Sequence, residues 1–373
     1  MVTMKNVWRL CWAALICAAW LVADGAVESE SADATNGSVR CVYSDALKAM
    51  PALRGVMSPM RPMTENDFRT LHDWGVQLLR YQMNRNWGAR NADRDLDDYD
   101  RWLGGKLDHL ESFVLPMAEK YGMKVVIDLH MPPGGKGEGD EMNMFHEPDY
   151  AAHFIKVWER IAKRFCGHVA VYGYDLVNEP VQKRPPANGM DCWALQRKTA
   201  ERIREIDPDT PIVVESNLAA SPYAFPAKPF DLKDIIYQVH VYIPVEYTHQ
   251  GVFGPNDAPK KWPDPSRGWE RDFCIRDRIL KPVRDFQLKY GARIYAGEFS
   301  AICWAEGADR FLADCISLFE EFGWDWTYHA FREWPGWSVE HEGPDKDHLV
   351  PSADNPRKRV LLNAFRRKVS RQP

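Results

Sequence analysis

Over residues 50–340, short runs of continuous apolar residues alternate with longer stretches whose apolar positions recur every three or four. The short runs are Leu53–Ser58, Val76–Gln82, Met123–His130, Val169–Val177, Pro211–Glu215, Ile235–Tyr242, Ile294–Phe299 and Trp326–Phe331. Apolar throughout rather than at every second position, they predict strands buried on both faces. The intervening stretches predict helices. Thr64–Trp74 opens on a good N-cap with Glu65 in its first turn, and Leu96–Tyr121 stops at Gly122. Tyr150–Phe165, Asp191–Ile206, Trp269–Tyr290 and Ala308–Phe322 follow the same logic, and the run from Pro351 ends in a basic C-terminal helix. Eight strands alternating with helices predict an α/β fold, a single (β/α)8 TIM barrel. The rival, an open doubly wound sheet, usually carries a glycine-rich phosphate turn, and no G-x-G-x-x-G or Walker loop is present.

The chain start has a different pattern. Lys5 and Arg9 precede the apolar run Leu10–Ala23, and Ala23-Asp24-Gly25 offers small residues for a cut. Residues 1–25 therefore predict a signal peptide and a secreted or periplasmic protein, because the run is shorter than the ~20 residues a spanning helix needs. Residues 26–40 are small and polar and predict a disordered lead-in, followed by one domain over 41–373. A composition 45% hydrophobic and 27% charged supplies a large core. The net charge of −5 gives no electrostatic footprint for nucleic acid or an anionic membrane, and a monomer is expected. Six cysteines (Cys41, Cys166, Cys192, Cys274, Cys303, Cys315) follow the leader, enough for up to three disulfides in an exported protein, and none forms a C-x-x-C pair.

Candidate chemistry lies at the ends of the predicted strands. Arg80, Asp128 with His130, Asn178-Glu179, Glu215, His240 with Tyr242, Glu298 and His329 each close an apolar run. The carboxyl ends of barrel strands converge on one rim, where barrel enzymes place their sites. Cleaving an equatorial glycoside needs two carboxyl groups on opposite faces of the anomeric carbon, one protonated and one ionised. Glu179 and Glu298, on opposite sides of a barrel, fit those roles. Arg80 and Tyr242 would hold Glu298 ionised, Asn178 would reach a sugar 2-hydroxyl, and His130 and His240 would bind hydroxyls or orient the carboxyls. Trp87, Trp334 and Trp337 are candidate sugar platforms, and the loops at Met131–Phe145 and His249-Gln250 candidate walls of the site.

The ordered set Ile127-Asp128-Leu129-His130, Asn178-Glu179-Pro180, His240-Val241-Tyr242 and Gly297-Glu298-Phe299 resembles glycoside hydrolase family 5, the cellulase-type family, over residues 50–340. The resemblance implies a retaining β-glycosidase with Glu179 as acid/base after strand 4, Glu298 as nucleophile after strand 7, and no metal or cofactor. It implies a carbohydrate substrate, a β-glucan or related chain; a β-mannanase, an exo-acting β-glucosidase or β-1,3-glucanase, and a transglycosylase use the same machinery. One departure concerns the end of strand 8, where the family commonly places a Trp and this chain has His329, with Trp334 and Trp337 close behind. Two readings of other classes compete. A metal-dependent hydrolase would need His ligands suitably spaced, and no H-x-H or H-E-x-x-H occurs. A non-catalytic sugar-binding barrel would usually lack one of the two glutamates.

Overall fold

The computed structural model describes residues 39–186 and 190–367; the expected signal peptide, and residues 26–38 of the expected lead-in, lie outside them. All eight apolar runs are strands, with ends shifted by one to a few residues: β1 Arg54–Met57, β2 Leu78–Gln82, β3 Lys124–Asp128, β4 Val171–Asp175, β5 Ile212–Glu215, β6 Ile235–Val241, β7 Arg293–Phe299 and β8 Asp325–Tyr328. They pair in parallel in chain order, and β1 pairs with β8 to close the barrel, Gly55 opposite Thr327. The expected (β/α)8 barrel is the observed fold.

Local chemistry explains the helices. Glu65–Trp74 starts with a capping box in which Thr64 accepts from the Asp67 amide while Asp67 accepts from the Thr64 amide, and it ends at Gly75. The predicted Leu96–Tyr121 helix runs to Lys120 with one wider turn at Leu110–Val114. Helices Pro148–Phe165, Cys192–Arg204 (capped by Asp191), Ala308–Phe322 and Pro356–Arg366 match the remaining expectations, and Trp269–Tyr290 becomes a wide-turned stretch Arg271–Ile279 joined to Lys281–Tyr290. Between β5 and β6 only short turns occur. A small antiparallel pair, β9 His341–Glu342 with β10 Val350–Pro351, follows β8 and was not expected.

The barrel interior is layered. At the amino ends of the strands, Leu53, Leu78, Val126, Tyr172, Val213, Ile236 and Tyr295 form an apolar plug, with Leu47 of the helix Asp45–Ala49 pressed into it. Beneath it Arg293 donates to Asp325 at 2.8 Å and to the carbonyls of Leu47 and Met50, sealing the floor. A second, larger core fills the space between barrel and helices. Side chains alternate along each strand, so residues two beyond the plug point inward one layer higher. Arg80, Asp128, Glu215 and Gln238 stand in that layer, and all are buried.

The six cysteines carry free thiols, so the allowance for disulfides is not taken up. Cys192, Cys274 and Cys315 instead pack as small apolar residues within the outer core. Among the described residues, no helix is long and apolar enough to cross a membrane.

Candidate active site

The next position up each strand brings the predicted residues to the rim. His130 lies two beyond Asp128, and His240 and Tyr242 two and four beyond Gln238. Glu298 reaches the interior by a different device. Val239 pairs with Ala296 but His240 pairs with Glu298, so Gly297 is an extra residue in β7. Such a bulge flips the following side chain to the other face, and Glu298, otherwise directed outward, turns into the barrel. A Cβ there would lie 2.2 Å from Gln238 Oε1, so a larger residue would displace the Gln238 side chain from between Asp175 and Glu215.

Arg80 organises the layer below the reaction centre. It is fully buried, and it donates from Nε to Asp175 (2.8 Å), from one terminal nitrogen to Glu298 Oε1 (2.7 Å), and from the other to Glu215 Oε1 (2.9 Å) and Asn178 Oδ1 (3.0 Å). Asp128 is 3.3 Å away. One cation cannot balance four buried anions, because two like charges 4 Å apart repel by about 4 kcal/mol even at an effective dielectric of about 20. The groups divide accordingly. Burial pushes Asp128 up to about 7 and Asp175 up to about 6, and raises Glu215 well above the carboxylate range. Burial acts on Glu298 in the same direction, but His240, His329, Arg80 and His130 together outweigh it and hold this carboxyl well below the usual range. Its second oxygen accepts from Tyr242 Oη at 2.9 Å. Burial, then Glu298 itself, raises the Tyr242 phenol so far that it stays a donor.

Glu179 follows β4 with its backbone in the left-handed region, φ 47°. Its amide donates to Glu215 Oε2 at 2.7 Å, so Glu215 ties the Glu179 backbone to Arg80. His240 Nδ1 stands 3.1 Å from Glu179 Oε1 and 3.8 Å from Glu298 Oε2, between the two glutamates. One oxygen of each glutamate and a His240 nitrogen lie within 4.8 Å of one another. Asn178 spends its carbonyl on Arg80, leaving Nδ2 buried with no hydrogen-bond partner. His130 is fixed by Asp128 (2.7 Å), packs on Trp87 at 4.7 Å between centroids, and burial drives its pKa down to about 3.

The structure therefore brings Arg80, His130, Asn178, Glu179, His240, Tyr242 and Glu298 to one place. His329 joins them after β8. Its ring meets Tyr242 edge-on at 6.0 Å, and Nε2 is 3.3 Å from Glu333. Burial disfavours its cation, but Glu333 and Glu298 prevail and raise its pKa to about 9. Trp334 sits one ring further out. Trp337 is the indole that touches Tyr242, His249 and His329, at 6.3, 4.9 and 5.6 Å, and Trp334 contacts Trp337 from behind at 6.1 Å. Trp87 has Lys136 Nζ over its ring at 3.2 Å and His130 against it at 4.7 Å, so both would compete with a sugar for this indole.

Sequence reasoning left three participants out. Gln238 lies two residues before His240 and bridges Asp175 and Glu215; its inward parity with His240 was the available signal. Glu333, four residues after His329, also accepts from Gln82 at 3.1 Å. Asp175 is masked by a second bulge, since Val125 pairs with Val171 and Val126 with Gly173.

Comparisons with known proteins identify the family and the fold. The model of the family described as cellulase (glycosyl hydrolase family 5) matches residues 43–330. Cellodextrinase A of Ruminococcus flavefaciens is 29% identical over 249 residues, 64% of this chain and 68% of that protein. Endoglucanase C of Acetivibrio thermocellus is 25% identical over 300 residues, 71% of this chain and 84% of that protein. Among solved structures, Thermotoga maritima Cel5A in complex with mannotriose superimposes with a TM-score of 0.63 at 20% identity, covering 84% of this chain and 97% of that one, which shows the fold. The chain is a glycoside hydrolase and belongs to glycosyl hydrolase family 5.

Proposed function

We propose that this glycoside hydrolase is an exported retaining β-glycosidase acting on β-linked glucan chains, with Glu298 as nucleophile and Glu179 as acid/base. The observation that carries the reading is the pair of buried carboxylates with oxygens within 4.8 Å of each other. Retaining enzymes hold their carboxyls about 5–5.5 Å apart, whereas inverting ones need about 6.5–9.5 Å to admit a water between. Glu298 Oε, kept ionised by Arg80 and Tyr242, attacks the anomeric carbon while Glu179 gives its proton to the departing glycosidic oxygen. The C–O bond to the leaving group breaks as the bond to Glu298 forms. Glu179, now ionised, takes a proton from water, whose oxygen attacks the same carbon and releases Glu298. Asn178 Nδ2 is the donor left for the 2-hydroxyl, where a hydrogen bond strengthens in the transition state.

The glucan assignment rests on the names of relatives, a cellodextrinase and endoglucanases. Export rests on the leader-like residues 1–25. A metal-dependent reading would use Glu179, His240 and Glu298 as ligands. Arg80, 2.7 Å from Glu298, already supplies the positive charge an ion would bring.

The test is hydrolysis of β-glucans, β-mannans and aryl β-glycosides by the purified protein, with and without chelator, following product anomers by NMR. Glucan turnover that survives chelation and releases the β-anomer first is expected. Release of the α-anomer first would overturn the retaining mechanism, and turnover of mannan alone would overturn the substrate class.

A further inference from the structure

Two rows of aromatic rings lead outward from the nucleophile. Tyr242, which holds Glu298, meets His249 at 5.0 Å between centroids, and His249 stacks on Phe253 at 6.0 Å and 14°. The other row runs from Tyr242 through Trp337 and Trp334 to Trp304, in steps of 6.3, 6.1 and 6.0 Å. Both rows end at one cavity of about 420 Å³, lined by Phe253, Asn256, Trp304, Asp345, Lys346 and Asp347 among others. Its walls come from the loop after β6, the loop after β7, and the turn between β9 and β10.

The walls are fastened to each other. Trp304 Nε1 donates to the Gln250 carbonyl at 2.7 Å. Gly251, at φ +75°, lets the loop close over that indole, since a Cβ there would meet Trp304 Nε1 at 3.1 Å. In the turn, Asp345 accepts from the Asp347 amide at 2.9 Å and from His348 Nδ1 at 2.8 Å. The lining combines half-buried aromatic rings with an amide, two carboxylates and an ammonium. A neutral polyhydroxylated ligand suits it, with apolar C–H faces for the rings and hydroxyls that both donate and accept. An anion would face Asp345 and Asp347, and a purely apolar ligand would desolvate three charges.

We propose that this cavity is a distal sugar-binding subsite, holding the far end of the chain whose scissile bond lies between Glu179 and Glu298. The proposal rests on the glycosidase reading above. Its consequence is selection for length, because Trp304 stands three ring contacts beyond Tyr242 and a single sugar held between the two glutamates would leave it empty.

The experiment measures kcat/KM for β-1,4-gluco-oligosaccharides from the disaccharide to the hexasaccharide, and for an aryl β-glucoside. It compares the parent with Trp304→Ala and with the double variant Lys346→Ala/Asp347→Ala. The double variant changes only exposed side chains of the turn and so spares the fold. Expected is a rise of kcat/KM with length in the parent and a loss of about tenfold on the longest substrates in Trp304→Ala. A smaller loss is expected in the double variant, with the aryl glucoside unchanged in both. A parent with no gain from length, or variants that keep the full gain, would overturn the subsite. If the parent cleaves none of these substrates, the glucanase reading fails on its own. Calorimetric binding of the hexasaccharide to parent and Trp304→Ala then decides the cavity: weaker binding in the variant supports it, equal binding or none removes it.

Discussion

Around Arg80, the acid groups differ in what they give up. Burial pushes the Asp128, Asp175 and Glu215 carboxyls upward, while the nearby histidines and Arg80 hold Glu298 down. Glu179 differs in its contacts, since its Oε1 faces His240 at 3.1 Å and meets no guanidinium. Glu179→Ala is therefore expected to harm substrates that need a proton on the leaving group. Turnover of unactivated oligosaccharides should fall roughly a hundred- to ten-thousand-fold, far more than formation of the glycosyl-enzyme from an aryl glycoside with a good leaving group. Burst-phase kinetics on both substrate classes check this, and equal damage to both would count against the acid role. His329 gives a second residue-level expectation. Its folded-state pKa is raised to about 9. Such a histidine stabilises the fold fully below its unfolded value near about 6.5, and that contribution is lost as pH rises through about 9. Glu333→Gln removes one of the two anions responsible. Melting temperatures between about pH 6 and about pH 10 should fall less steeply in the variant than in the parent, and parallel curves would contradict the pairing.

Elements were legible to the extent that burial imposed a pattern. The eight strands announced themselves as continuous apolar runs because helices cover one face and the barrel interior the other. Polar residues at their ends stood out because N-caps alone do not call for Arg, His and Tyr. Parity within strands was less legible, and the two bulges are the reason. Gly297 moves Glu298 from the outer face to the inner one, so its inward position was legible from its place at a strand end and not from alternation. In β4 the corresponding irregularity hid Asp175. The hairpin of β9 and β10 is two residues per strand and leaves no periodic trace. The loop Met131–Phe145 reads as a candidate wall of the site, and much of it is buried. Glu141 anchors it by accepting from the Lys183 and Arg184 amides at 2.7 and 3.0 Å and from the Arg184 guanidinium at 2.6 Å. Nothing in its composition foretold that anchor, which depends on the loop after β4 arriving alongside.

At the scale of the whole molecule, barrel closure lets residues distant in sequence act as one group. An apolar plug and a sealed floor fill the amino end of the barrel, a charged layer built on Arg80 lies above, and the two glutamates stand at the carboxyl end. Burial at the bottom thus fixes the geometry and the ionisation states at the top. The proposed mechanism depends on a covalent bond between Glu298 and the sugar. It is tested most directly by incubating the protein with an activated 2-deoxy-2-fluoro-β-glucoside and mapping the trapped adduct by peptide mass spectrometry. A single sugar on the peptide containing Glu298, absent from Glu298→Ala, is the predicted result. An adduct on another residue, or turnover of natural substrate by Glu298→Ala at the parent's rate, would contradict the account.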